Sequence, residues 1–401
     1  MRFAKKTVQQ LDCASKRVLM RVDFNVPVAD GAVTDDTRIA AAMSTIRYLL
    51  QKRARLVLCS HLGRPKGGPD ARFTLRPVRE RLAHLLRADV AWADDCVGPV
   101  AEAVAAALGD GQVLLLENLR FHPEEEKNDP SFAQALARLG DCYVNDAFGT
   151  AHRAHASTEG VTHYLKPAVA GFLMKTELDY LGTALEDPKR PYVAVLGGSK
   201  ISGKIDVITS LLHKVDRLLI GGAMMFTFLK AQGKPVGRSL VEDDRLELAR
   251  QVLADAAKRG VELVLPGDCV ASTAPDGSAP SSAKAVELLG PDEMGVDIGP
   301  ATLAGFASKL RDAKTVVWNG PMGIFEVPAF AAGTMGVAKV MSELKARGAV
   351  TVVGGGDSVA AVQQSGLAER FSHLSTGGGA SLEFLEGKVL PGVAALEDLG
   401  A

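Results

Sequence analysis

The chain has 401 residues, 47% of them apolar and 23% charged, enough hydrophobic material for two or three domains and too much for intrinsic disorder. No apolar run approaches the roughly 18 residues of a membrane span, and a net charge of −1 argues against nucleic acid or a membrane as a general partner. The five cysteines are odd in number and scattered without a C-x-x-C, so neither a disulfide framework nor a zinc site is implied. The opening Met1–Lys6 is basic but lacks the apolar region of a secretory signal, which fits a cytoplasmic chain. Residues 1–81 carry 17 Lys and Arg against 7 Asp and Glu, a net +10, and the remainder carries −11. That asymmetry suggests a local anion site near the N-terminus, although about half of these cations should coat solvated helix faces such as 47–55.

The strands expected in the first part of the chain are Arg17–Phe24, Arg55–Ser60, Val113–Glu117 and Cys142–Asp146. Those expected later are Tyr192–Leu196, Arg217–Ile220, Glu262–Leu265, Thr315–Trp318, Val350–Val353 and Phe371–Leu374. All are short and apolar on consecutive positions, as strands buried on both faces are. Amphipathic stretches such as Arg38–Arg53, Leu75–Leu86, Asp243–Lys258 and Phe330–Arg347 lie between them. The alternation predicts an α/β fold of two Rossmann-like domains, each a parallel sheet flanked by helices. A connector separates the two sets: Lys166-Pro167 opens it, Gly171–Glu186 reads as one helix, and Asp187-Pro188 through Pro191 closes it. The expected division is a first domain at 1–170, a connecting hinge helix at 171–187 and a second domain at 188–389.

Ligands of parallel sheets bind outside the carboxyl ends of the strands. In the first half those ends carry Asp23 and Asn25, His61 and Arg64, Arg120, and Arg153, with Arg38 at the start of a helix. Arginines gathered in one crevice make bidentate bonds to phosphate or carboxylate. In the second half the ends read Gly197-Gly198-Ser199-Lys200, Gly221-Gly222, Asn319-Gly320, Gly354-Gly355-Gly356-Asp357-Ser358 and Thr376-Gly377-Gly378-Gly379. Glycine turns that open a helix let backbone N–H groups approach phosphates. Asp357 suits a helix N-cap or a contact to Mg²⁺ carried by phosphates. The run Gly198 to Lys204 matches seven positions of a P-loop, but Ile205 replaces the hydroxyl that would hold Mg²⁺, and a P-loop is rejected. Lys200 and Lys204 still share one helix face suited to polyphosphate. His152 and His155 lie in a polar loop without a third ligand and fit a structural or phosphate-facing role better than zinc. No G-x-G-x-x-G occurs, which weakens the main alternative, a nicotinamide-dependent two-domain oxidoreductase. A two-lobed binding protein would need only one ligand face, and this sequence offers two unlike ones.

The successive motifs Val22 to Pro27, Ser60 to Pro65, Glu117 to Phe121, Asn145 to His155, Gly197 to Lys200, Trp318 to Gly323 and Gly354 to Ser358 resemble, in order and across essentially the whole chain, those of the phosphoglycerate kinase family. The resemblance implies a monomeric, cytosolic, glycolytic enzyme that moves phosphoryl reversibly from 1,3-bisphosphoglycerate to Mg-ADP, giving 3-phosphoglycerate and ATP. By its motifs, Asp23, Asn25, Arg38, His61, Arg64, Arg120 and Arg153 fall where the family binds 3-phosphoglycerate. Lys200, Lys204, Gly222, Gly295, Asn319, Glu326 and Gly355, Gly356, Asp357 and Ser358 fall on its nucleotide side, with Arg38 and Lys204 implied at the reaction centre. The resemblance further implies that about 390–401 returns to the first domain. Glu293 stands where the family often has Trp, and Ser358 where relatives often have Thr, which keeps the hydroxyl.

Overall fold

The consecutive apolar runs form two six-stranded, all-parallel sheets in a computed structural model that describes residues 4–400. The first sheet is built from β1 (Arg17–Arg21), β2 (Arg55–Cys59), β3 (Val90–Ala93), β4 (Val113–Leu116), β5 (Cys142–Asn145) and β6 (Ala168–Ala170), in the order β3-β4-β2-β1-β5-β6. The second is built from β7 (Tyr192–Leu196), β8 (Arg217–Ile220), β9 (Glu262–Val264), β13 (Thr315–Asn319), β14 (Val350–Gly354) and β15 (His373–Leu374), in the order β9-β8-β7-β13-β14-β15. Between β9 and β13 the chain adds a small antiparallel sheet of β10 (Asp268–Ser272), β11 (Ser281–Ala285) and β12 (Met294–Ile298). The central strands carry no exposed side chain, β7 being buried along its whole length, because helices cover both faces of a parallel sheet.

Each of the ten expected strands is present: Tyr192–Leu196 and Arg217–Ile220 have the expected bounds, β13 and β14 run one residue longer, β1 stops three residues short, and the others are one or two residues shorter. Four features escaped the sequence: the edge strand β3, the three-residue β6, the antiparallel sheet and a short antiparallel hairpin that pairs Val28–Ala29 with Ala32–Val33. Helices follow the amphipathic stretches. Leu246–Arg259 buries Ala249, Val252 and Ala256 on one face and stops at Gly260, whose φ of 71° is left-handed. Among the described residues no helix is long and apolar enough to cross a membrane.

Two compact units result, one reaching to Asp179 and resuming at Val389, the other spanning Tyr180–Lys388. The division falls inside the helix Phe172–Glu186. In the first unit its start is held by Phe172 N–H on Thr45 Oγ (2.9 Å) and Met174 N–H on Asp146 Oδ1 (3.1 Å). In the second unit Tyr180 stacks on His373, with ring centroids 5.1 Å apart. The C-terminal segment is pinned in the first unit by Gly392 N–H on the Ala151 carbonyl (2.9 Å), Asn145 Nδ2 on the Gly392 carbonyl (3.2 Å) and an ion pair between Lys5 and Asp398 (2.7 Å).

Candidate active site

At the carboxyl ends of β1, β2 and β4, arginine and histidine meet in one hydrogen-bonded cluster. Arg38, on the helix Thr37–Gln51, donates from Nη1 to Asp23 Oδ2 (2.8 Å) and remains partly exposed. Asn25 Oδ1 accepts from Gly63 N–H (2.9 Å), and Arg120 Nη1 donates to the Gly63 carbonyl (2.7 Å). Asn118, fully buried, accepts from Leu62 N–H and Arg120 N–H and donates to the Leu62 carbonyl. The loop carrying His61 and Arg64 is therefore clamped from two sides. Arg64 itself is exposed and makes no hydrogen bond among the described residues.

Beneath this surface lies Arg21, 1% exposed at the end of β1. Its Nε donates to Ser157 Oγ (2.8 Å), Nη1 donates to the Val22 carbonyl, and Nη2 meets His61 Nδ1 at 3.1 Å. Glu125, also buried, accepts from Ser157 N–H (2.9 Å) and Ser157 Oγ (2.5 Å). Burial raises the Glu125 carboxyl, and the Arg21 charge opposes that rise. Burial and then Arg21, Arg120 and Arg38 hold His61 well below its ordinary value. Burial and then Arg21, Arg120, Arg153 and His152 bring His155 down to about 3. Arg21 and Arg120 act on both imidazoles, Arg38 on His61 and Arg153 on His155, so the cluster gathers positive charge around two neutral rings. Arg21 and Asn118 were missed in the sequence. Arg21 was detectable as a cation within an otherwise apolar strand.

The neutral histidines set a stability dependence. Below about pH 6.5 the unfolded chain takes up a proton at position 155 that the folded chain refuses until about pH 3. Stability contributed by neutral His155 is therefore lost as pH falls through that window. Buried Asp146 and Asp297, both raised to about 7, act with the opposite sign between about pH 4 and 7. The difference between wild type and His155→Gln isolates the histidine: melting temperatures should converge as pH is lowered from 7 to 5. A constant gap would mean that His155 titrates normally.

The second unit's sheet has the strand order 3-2-1-4-5-6 when its six parallel strands are numbered along the chain. The order reverses between β7 and β13, the place where such sheets take their ligand. A cavity of about 380 Å³ opens there, lined by Gly198, Ser199, Lys200, Gly203, Lys204, Asn319 to Pro321, Gly355 to Ser358, Gly378, Gly379 and Leu382. The helix Gly356–Gln364 begins at this cavity with Gly355 (φ 88°) as N-cap and no side-chain cap, and the short helices at Ile205–Leu211 and Gly379–Leu385 also start uncapped beside it. Their first N–H groups lack intrahelical partners and favour an anion.

Lys204 Nζ reaches the Asn319 side-chain oxygen and, at 3.3 Å, the Asn319 carbonyl. Burial lowers the ammonium to about 8, against the pull of Asp357. Asn319 Nδ2 is buried without a partner, an arrangement that is costly unless a ligand acceptor meets it. Gly355 keeps that approach open, since any Cβ there would stand 2.9 Å from Nδ2. Asp357 is exposed and its carboxylate accepts no hydrogen bond among the described residues, so its oxygens are available to a hard cation. Ser358 is fully buried and its Oγ accepts from Gly320 N–H (2.6 Å), tying two strand-end turns together.

Lys200, Lys204, Asn319 and Gly355 to Ser358 are thus brought together, whereas Gly222, Gly295 and Glu326 do not line this cavity. Gly222 (φ 66°) packs backbone to backbone, where a Cβ would stand 2.3 Å from Gly198 N. Gly295 lies on β12, donates to Ser239 Oγ (2.9 Å) and faces the Phe226 ring. Glu326 is exposed on the loop after β13. Gly378 and Gly379, from the strand-end run Thr376 to Gly379, also line the cavity.

The family model described as phosphoglycerate kinase matches residues 8–388. Phosphoglycerate kinase of Chlorobium luteolum is 58% identical, covering 98% of this chain and 99% of its own, and the chloroplastic phosphoglycerate kinase of Volvox carteri is 58% identical, covering 98% and 86%. Among solved structures, phosphoglycerate kinase from Coxiella burnetii superposes with a TM-score of 0.89 at 41% identity, and that from Pyrococcus horikoshii with 0.85 at 31%, each covering 98% of both chains. The nicotinamide-dependent oxidoreductase finds no support in any of these. The chain belongs to the phosphoglycerate kinase family of glycolytic phosphotransferases.

Proposed function

We propose that this kinase works by direct in-line transfer, with the glycerate substrate on the arginine cluster of the first unit and Mg-ADP in the glycine-lined cavity of the second. The bond between the carboxyl oxygen of 1,3-bisphosphoglycerate and its phosphorus breaks as a β-phosphate oxygen of ADP bonds to that phosphorus. The carboxylate of 3-phosphoglycerate leaves with the electron pair, and no phosphate is held covalently by the protein. Transfer of this kind needs positioning and charge stabilisation. Arg64, Arg120 and Arg153 hold the anionic substrate, while Asp23, Asn25 and neutral His61 orient it. Arg38, tethered by Asp23 yet partly exposed, braces the acyl oxygen and the migrating group. Lys204 and the N–H groups of the Gly355 turn neutralise it from the nucleotide side. Asp357, whose carboxylate accepts no hydrogen bond among the described residues, would hold the magnesium carried by the nucleotide, which would offset the phosphate charge. Lys200, Gly222, Gly295 and Glu326 complete the nucleotide side in this reading.

The observation that carries the proposal is the unpartnered Asn319 Nδ2 beside Lys204 at an uncapped helix start. Ligands bound on separate units must be brought together, so closure about the 171–187 helix belongs to the same reading and shields the acyl phosphate from water. So does a monomeric, cytoplasmic enzyme without a nucleic-acid or membrane partner. A coupled assay should register ATP formed from 1,3-bisphosphoglycerate and ADP. Mg-ADP and 3-phosphoglycerate should each raise the melting temperature by linkage and NADH should not. Small-angle scattering should give a smaller radius with both ligands bound. An unchanged radius would remove closure from the mechanism, and a shift with NADH alone would overturn the nucleotide assignment.

A further inference from the structure

We propose that Asp95, Cys96 and His122 form a binding site for a divalent cation of the zinc class, independent of the reading of the phosphoryl-transfer site. The strands β3 and β4 lie side by side, with Ala93 beside Leu116 at their carboxyl ends. The loops that follow bring Asp95-Cys96 and His122 together from 27 positions apart, a juxtaposition invisible to cysteine spacing. One carboxylate oxygen, one thiol sulfur and one imidazole nitrogen lie within 4.8 Å of one another. Asp95 Oδ1 already accepts from His122 Nε2 (2.7 Å) and from Cys96 N–H (2.6 Å). The thiol is wholly buried, whereas Asp95 and His122 are partly open to solvent and give an ion its way in. The His122 ring is steadied against Phe132, with centroids 5.2 Å apart.

The donor set decides the class of ion. Thiolate and imidazole suit zinc or cobalt, whereas magnesium and calcium take oxygen alone. Tetrahedral zinc with bonds of about 2.0–2.3 Å sets its donors about 3.3–3.5 Å apart, so the 2.7 Å Asp95–His122 pair opens slightly and any wider separation, at most 4.8 Å, closes, within reach of the two partly exposed side chains. The cation takes the place of the proton between His122 Nε2 and Asp95, and that proton moves by exchange with solvent to Nδ1, leaving a neutral imidazole whose Nε2 lone pair bonds the metal. The Cys96 proton leaves to solvent as the sulfur–metal bond forms, and water fills the fourth position. A dication with one thiolate and one carboxylate is neutral overall, so burial leaves no uncompensated charge.

Titration of the metal-free protein with Zn²⁺ by calorimetry, and with Co²⁺ by absorption, tests the site. Wild type should bind Zn²⁺, and the cobalt form should show a near-ultraviolet thiolate-to-cobalt band. The band should vanish in Cys96→Ser. Zinc affinity should fall by about tenfold or more in His122→Ala and in Asp95→Asn, the order seen when metal-site residues are lost. Circular dichroism and melting without metal establish that each variant is folded. Should Cys96→Ser fail to fold, the two partly exposed positions carry the test. No thiolate band in wild type, or unchanged affinity in the folded variants, overturns the proposal.

Discussion

Replacement of Arg38 by Ala should lower kcat by about 10²–10³-fold, the usual cost of removing one preorganised donor from developing charge. The expectation rests on how Arg38 is held. One guanidinium nitrogen is committed to Asp23 at 2.8 Å, and the side chain is still 38% exposed. It is aimed by one partner and free to meet another. Arg120 differs, being buried and bonded to the Gly63 carbonyl, so its loss should disturb the loop as well as the substrate. Arg38→Lys should recover little, because an ammonium cannot bond Asp23 and a second oxygen in the planar fork geometry. Arg38 is partly exposed but Asp23 is only 14% exposed, so losing the partner of a largely buried carboxylate should lower the melting temperature modestly while the fold is retained. Steady-state rates at saturating substrates, alongside thermal melts, decide the matter. Full turnover in folded Arg38→Ala would remove this residue from the reaction centre.

The strands were legible because two-sided burial demands unbroken apolar runs, as in Tyr192–Leu196. The same rule hides β11, whose Ser281-Ser282-Ala283-Lys284-Ala285 is almost entirely exposed: a strand covered on neither face leaves no hydrophobic trace. The edge strand β3 is buried only at its two ends and reads as a loop for a related reason. At the sites, residues that present charge or glycine at a strand end were visible, and those that act from beneath were not. Asn118 clamps a loop 56 positions away, a partnership without a local signature. Ser358 was visible in its glycine-rich turn, but its bond to a turn 38 positions away was not. Gly295 carries a further demand that sequence does not display: the Phe226 ring would stand 1.9 Å from a Cβ there, so packing requires glycine at this position whatever that face binds.

The second large effect concerns Lys204, and its direction with pH follows from burial. With the free-enzyme ammonium lowered to about 8, kcat/KM for Mg-ADP should be level near neutrality and fall about tenfold per pH unit well above 8, as the cation that meets the phosphates is lost. The profile of kcat itself should break at higher pH, because bound polyphosphate supplies the negative charge that burial denies the free enzyme. Lys204→Ala should lose about 10²–10³-fold in kcat at any pH. Lys204→Arg separates charge from shape: a guanidinium stays protonated throughout, so this variant should lose the alkaline fall in kcat/KM while starting from a lower plateau, its larger head no longer fitting beside Asn319. An alkaline limb that persists unchanged in Lys204→Arg would assign the titration to another group. It would also leave Lys204 as a tether for Asn319 alone, with the helix N-termini and the nucleotide's own magnesium carrying the neutralisation.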